Sequence, residues 1–86
     1  MSRQTFVDSS AYYAMTDRKD RNAERAGEIA RLLVRERWSL FTSNFILAET
    51  HSLLLSHLGR EVAGRAVPAF RDSAATQVIR VTEADE

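Results

Sequence analysis

Three short β-prone runs, each separated from the next by two helical segments, constrain the fold of this chain more than any other feature. The strand-like runs are residues 5–7, 39–42 and 76–81, and the helical segments are 11–15, 23–38, 45–58 and 60–74. In the segment 23–38, apolar residues recur at three- and four-residue spacing. Pro68 lies inside the last segment and is expected to kink or divide it. Strands joined by helical connections favour a parallel sheet. The sequence therefore predicts a β-α-α-β-α-α-β order and an α/β fold with helices on both faces of a parallel sheet.

The composition excludes several kinds of protein. The 86 residues predict one domain, spanning 1–86. The absence of cysteine excludes disulfides, thiolate metal sites and a cysteine nucleophile. No apolar stretch approaches the roughly 20 residues of a membrane helix, and the first apolar run is too short for a signal peptide. We therefore expect a cytoplasmic protein.

The formal net charge is zero, which argues against a broad basic surface that would bind nucleic acid. A local group, residues 18–21 together with Arg25, could contact phosphates. Its charges are mixed, so a solvated entrance to the second helix is the alternative interpretation.

Asp8 is the first candidate for chemistry, since it follows the first predicted strand. In open α/β sheets, ligands bind just beyond the carboxyl ends of the strands. The alternative is structural, because Asp8, Ser9 and Ser10 are preferred capping residues for the helix that follows.

Glu49 is the second candidate, because it interrupts a helix that is apolar nearly all round. It follows Ile46 by three residues and precedes Leu53 by four, so we expect it to be buried on their face. A buried carboxylate requires an ion pair, hydrogen bonds or a metal ion. A structural ion pair with Arg31 or Arg65 is the alternative to a functional role.

The two carboxylates could converge at one edge of the sheet, since parallel strands end at the same edge. An oxygen-rich site without cysteine suits magnesium or manganese rather than zinc. His51 and His57 lie six residues apart and do not form an i, i+4 metal pair, so we expect ordinary surface histidines.

Two segments carry a resemblance to a known family. Residues 6–14, FVDSSAYYA, and residues 42–50, TSNFILAET, resemble the opening strand with its acidic turn and the glutamate-bearing helix entry of PIN domains of the VapC toxin type. The resemblance implies a metal-dependent endoribonuclease that is controlled by an antitoxin partner. By this resemblance, Asp8 and Glu49 are the catalytic acids and bind magnesium, or manganese in its place. Ser10 and Thr42 occupy supporting positions.

The resemblance also implies that the chain is incomplete. Residues 82–85, TEAD, have the hydroxyl-x-x-acid pattern of a helix start, and the family continues from there to another strand and further aspartates. We therefore expect a C-terminally truncated PIN domain with an incomplete metal site.

Two functional classes remain open at this point: a weak or inactive ribonuclease that binds RNA, and a non-catalytic module that binds an antitoxin or a second copy of itself.

Overall fold

The predicted order of elements is confirmed by a computed structural model, which describes residues 3–81. The elements in chain order are β1 (Gln4–Phe6), α1 (Ser9–Thr16), α2 (Ala23–Arg35), β2 (Ser39–Ser43), α3 (Asn44–Leu58), α4 (Arg60–Arg71) and β3 (Thr76–Ile79). The predicted helix start at residues 82–85 lies outside the described residues.

The sheet is parallel, in the order β1-β2-β3, so the α/β class predicted from the sequence is confirmed. β1 pairs with β2 from Gln4↔Ser39, and β2 pairs with β3 from Leu40↔Thr76. The amide of Val7 extends the first ladder with a 2.7 Å hydrogen bond to the Phe41 carbonyl. All three strands therefore deliver the segments that follow them to one edge of the sheet.

The core lies where α1, α3 and α4 pack together. Val7, Tyr12 and Leu47 are buried in one cluster, and Leu54 and Ala63 are fully buried. The Tyr12 ring packs against the Phe70 ring with centroids 4.3 Å apart. These contacts hold α1 against the helical pair formed by α3 and α4.

Tyr12 also contains a polar atom that the core does not satisfy. Its hydroxyl is buried and forms no hydrogen bond with residues 3–81. Burial raises the pKa of the Tyr12 hydroxyl, and the neighbouring Thr42 hydroxyl acts in the opposite direction. Thr42 itself donates its hydroxyl to the Val7 carbonyl at 3.2 Å.

The amphipathic pattern of α2 is confirmed, but none of its residues is fully buried. Its apolar residues Ala26, Ile29, Ala30 and Leu33 line a groove of about 710 Å³ that is shared with α1 and β1. Val34 does not line this groove and is 70% exposed. The helix therefore packs less closely than its sequence pattern predicts.

The boundaries of α4 differ from the prediction. The helix runs through Pro68 without the predicted division, and it ends at Arg71 rather than near Ala74. Pro68 lies in the last turn and a half, so its missing N–H removes a bond only near the helix end. None of the helices in residues 3–81 has the length and apolarity needed to cross a bilayer.

Gly59 alone separates α3 from α4. Its φ of +94° lies in the region that glycine enters without steric cost, and its amide donates to the Leu54 carbonyl at 3.0 Å. The predicted end of α3 at this glycine is therefore confirmed.

Candidate active site

Asp8 lies beyond the carboxyl end of β1 and is the N-cap of α1. Its Oδ1 accepts hydrogen bonds from the Ala11 amide at 3.0 Å and from the Ser10 hydroxyl at 2.9 Å. The capping role considered from the sequence is thus present. Both hydrogen bonds use the same oxygen, which leaves Oδ2 without a hydrogen bond from residues 3–81. Capping and ligand binding by Asp8 are therefore compatible.

Ser9 links this turn to the helix that carries the second acid. The Ser9 hydroxyl donates a hydrogen bond to Oε1 of Glu49, across 40 residues of sequence. Ser9 is nearly buried, so its position is set by the surrounding structure rather than by solvent. The contact brings the turn that contains Asp8 against the second turn of α3.

The prediction that Glu49 is buried is wrong, because its side chain is exposed. The buried residues of α3 are Leu47, Thr50 and Leu54, which form a narrow stripe. Thr50 can be buried because its hydroxyl donates to the Ile46 carbonyl at 2.7 Å. Glu49 lies outside that stripe, and its described partner is Ser9 rather than Arg31 or Arg65; Arg65 pairs with Glu61 instead.

Thr42 and Ser43 position the start of α3 relative to Asp8. The fully buried Thr42 donates its hydroxyl to the carbonyl of Val7, the residue immediately before Asp8. The Ser43 side chain accepts from the Ile46 amide at 3.1 Å and caps α3. The Thr42 hydroxyl therefore fixes the end of β1, and the Ser43 hydroxyl fixes the start of α3, which carries Glu49.

Asn44 connects the same helix start to the chain after β3. Its amide group donates to the Val81 carbonyl at 3.1 Å and accepts from the Val81 amide at 2.8 Å. This contact was not predicted, because an asparagine at a helix start indicates only a cap. All three strand ends are thus tied to one region by side-chain hydrogen bonds.

The remaining polar candidates have other surroundings. His51 and His57 are both exposed, as predicted. The His57 ring contacts Tyr13 edge-on with centroids 5.6 Å apart, and its Nδ1 lies 3.0 Å from the Leu53 carbonyl. Arg25 lines the groove beside α2. These side chains do not contact the Asp8 turn through any described hydrogen bond.

The donor set at the sheet edge suits a hard divalent cation. Asp8 and Glu49 offer carboxylate oxygens, and Ser9 and Ser10 offer hydroxyls next to them. Magnesium is commonly held by one or two protein carboxylates, with water and substrate phosphate completing its shell. Within residues 3–81, no group of three or more histidine, aspartate or glutamate side chains is placed to hold a metal ion. Asp8 and Glu49 therefore supply oxygen ligands of the type that such a cation binds, without a third described side chain of these types beside them.

Comparison with known proteins gives a likeness to a solved structure. No family model matches the chain, and no curated protein matches it. Among solved structures, VapC20 of Mycobacterium tuberculosis, described as a sarcin–ricin loop cleaving toxin, matches with a TM-score of 0.76 and 32% sequence identity. The match covers 92% of this chain and 58% of that chain. The described fold is therefore shared with VapC20, while the chain spans 58% of its length.

Proposed function

We propose that this chain is a divalent-metal-dependent endoribonuclease of the VapC toxin type, with Asp8 and Glu49 as its metal-binding and catalytic acids. The observation that carries the proposal is the hydrogen bond from Ser9 to Glu49, because it joins two acidic segments at the carboxyl edge of a parallel sheet. The likeness to VapC20 supports it, since that protein is described as a toxin that cleaves an RNA loop. Ser10 and Thr42 have supporting roles.

The chain's own residues would act mainly by orientation. Ser9 donates to one oxygen of Glu49, and Ser10 with the Ala11 amide donates to one oxygen of Asp8, so each acid keeps its second oxygen for a ligand. Magnesium or manganese held by these acids would lower the pKa of a bound water and offset charge on the phosphodiester. Because Glu49 is exposed, an RNA backbone could approach the two acids without displacing protein.

The proposal is tested first by metal binding. Asp8→Asn keeps a good N-cap residue while removing the negative charge, so it separates capping from ligand binding. We expect Asp8→Asn and Glu49→Gln each to weaken manganese binding at least tenfold, measured by calorimetry or by the loss of the free-ion EPR signal. Asp72→Asn and Glu61→Gln are matched controls, because both acids are exposed and already pair with arginine at the ends of α4. Equal manganese affinity in all five proteins would contradict the assignment.

Cleavage is tested on the same variants. We expect weak, magnesium-dependent cutting of single-stranded RNA by the 86-residue chain, lost in Asp8→Asn and Glu49→Gln and retained in the two controls. We expect the activity to be weak because two described acids leave geometry poorly fixed, and a misplacement of about 1 Å can cost roughly a hundredfold in rate. RNA cleavage that survives loss of both acids would contradict the proposed catalytic role.

A second candidate function is supported by the groove beside α2. Ile29 is 46% exposed although it lines this groove, so its apolar surface is available to a protein partner. The chain would then serve as a module that binds an antitoxin or forms a homo-oligomer. Ile29→Glu should abolish concentration-dependent self-association in sedimentation, whereas Val34→Glu, outside the groove, should not. A monomer at all concentrations would rule out the self-binding form.

A further inference from the structure

Two exposed aromatic rings lie close in sequence to the candidate acids. Among the phenylalanine, tyrosine and tryptophan side chains of residues 3–81, only Phe6 and Phe45 are exposed, at 56% and 49%. Phe6 precedes Asp8 by two residues and lines the groove beside α2. Phe45 precedes Glu49 by four residues and belongs neither to that groove nor to the buried core. Phe45 is therefore the exposed ring that the fold does not explain.

The position of Phe45 brings it next to Glu49. Residues four apart on a helix are neighbours on its surface, with about 5–6 Å between their Cβ atoms. Phe45 also lies in the first turn of α3, at the sheet edge where Asp8 and Glu49 lie. Phe45 and Glu49 thus belong to one surface of α3.

The backbone that carries Phe45 is held on both sides. Ser43, two residues before it, caps the Ile46 amide, and Asn44, immediately before it, makes two hydrogen bonds to Val81. Little backbone entropy would therefore be lost when a ligand packs on the ring. Single exposed hydrophobic side chains are common on protein surfaces. Phe45 differs from such side chains, because its ring is carried by a rigidly held backbone and lies beside an oxygen-rich site.

We propose that Phe45 stacks against the base of an unpaired nucleotide beside the phosphate that the two acids engage. An aromatic side chain offers every base the same π-face, so the contact selects unstacked bases rather than a sequence. A duplex keeps its bases stacked inside and cannot use the ring. The inference rests on the proposed ribonuclease function and adds to it a residue, Phe45, that contacts the base beside the engaged phosphate.

The test measures RNA affinity in a Glu49→Gln background, which keeps Phe45 while blocking the proposed cleavage. Fluorescence anisotropy would follow three short labelled probes: a single-stranded RNA, the same RNA with a central abasic site, and its duplex. Phe45→Ala should weaken binding of the single strand by about 5- to 150-fold. Phe45→Trp should preserve it. Leu55→Ala is the matched control, because Leu55 is 44% exposed on the same helix but lies ten residues further on.

The abasic probe separates stacking from a structural effect. The parent should lose affinity when the central base is removed, and Phe45→Ala should show no such difference between the two probes. Equal binding by parent and Phe45→Ala would overturn the stacking role while leaving the metal and cleavage results intact. Equal weakening of all three probes would overturn it too, because Phe45 would then act through the fold. A parent that binds none of the probes would contradict both this inference and the proposed function.

Discussion

The contact between Ser9 and Glu49 makes a prediction about stability that can be worked from the structure. A hydrogen bond to a charged group contributes about 1.5–3 kcal/mol, and the exposure of Glu49 reduces this to about 1 kcal/mol. Ser9→Ala alone is ambiguous, since alanine at the first position of α1 gains up to about 0.5 kcal/mol in helix propensity. A double-mutant cycle with Glu49→Ala cancels that gain and leaves the coupling energy.

Urea unfolding measured by circular dichroism is the appropriate assay. For a domain of this size the free energy of unfolding falls by about 1 kcal/mol per molar urea, so the coupling corresponds to a midpoint shift of about 1 M. Ser10→Ala with Glu49→Ala is the matched control cycle, because the Ser10 hydroxyl donates to Asp8 instead. We expect the control pair to be additive within about 0.5 kcal/mol. A Ser9–Glu49 coupling no larger than the control would refute the contact and remove the main support for the paired acids.

Three further expectations follow from the described contacts. Tyr12→Phe should leave the free energy of unfolding unchanged or slightly higher at neutral pH, because the hydroxyl that it removes is buried without a hydrogen bond. Above about pH 10 the unfolded tyrosine ionises, whereas the folded one, with its raised pKa, does not, so the parent loses stability there. The substitution should reduce that loss. That pH series is best run as thermal melts in a Tyr13→Phe background, because the pKa of Tyr13 is raised as well, chiefly by its hydrogen bond to Asp17. Leu54→Ala should lower the free energy of unfolding by about 2–5 kcal/mol and reduce the urea midpoint accordingly, since Leu54 is fully buried. A decrease below about 1 kcal/mol would mean that the surrounding residues close around the smaller side chain. Asn44→Ala should accelerate hydrogen exchange at the Val81 amide, and unchanged exchange would contradict the two-hydrogen-bond clamp.

The fold could be predicted because its strongest signals are local. The periodicity of α2 and the stop of α3 at Gly59 are each encoded within a few residues, and each is confirmed. The end of α4 was not predictable, since the residues after Arg71 keep a helix-compatible composition until Thr76 begins to pair with β2. Pairing with a distant strand is a tertiary effect that periodicity does not register.

The candidate site was predicted only in part. That Asp8 lies beyond a strand end follows from the strand order, and the structure bears out this position. The burial of Glu49 was mispredicted because α3 is apolar nearly all round, so its sequence does not reveal which stripe faces the core. Ser9 was missed in favour of Ser10, since two adjacent serines after a capping aspartate are equivalent in sequence. Only the rotation of α1 against α3 decides which hydroxyl reaches Glu49.

The long sequence separation of the contacts at the sheet edge has a kinetic consequence. Thr42 reaches Val7 across 35 residues, Asn44 reaches Val81 across 37, and Ser9 reaches Glu49 across 40. The helical pair α3–α4, joined by Gly59 alone, needs no such loop closure and can form early in folding. Contacts that close the longest loops form late, so weakening them mainly accelerates unfolding and leaves the folding rate nearly unchanged. We therefore expect the lifetime of the contact between the Asp8 turn and α3 to depend on the rate of unfolding rather than on the rate of folding.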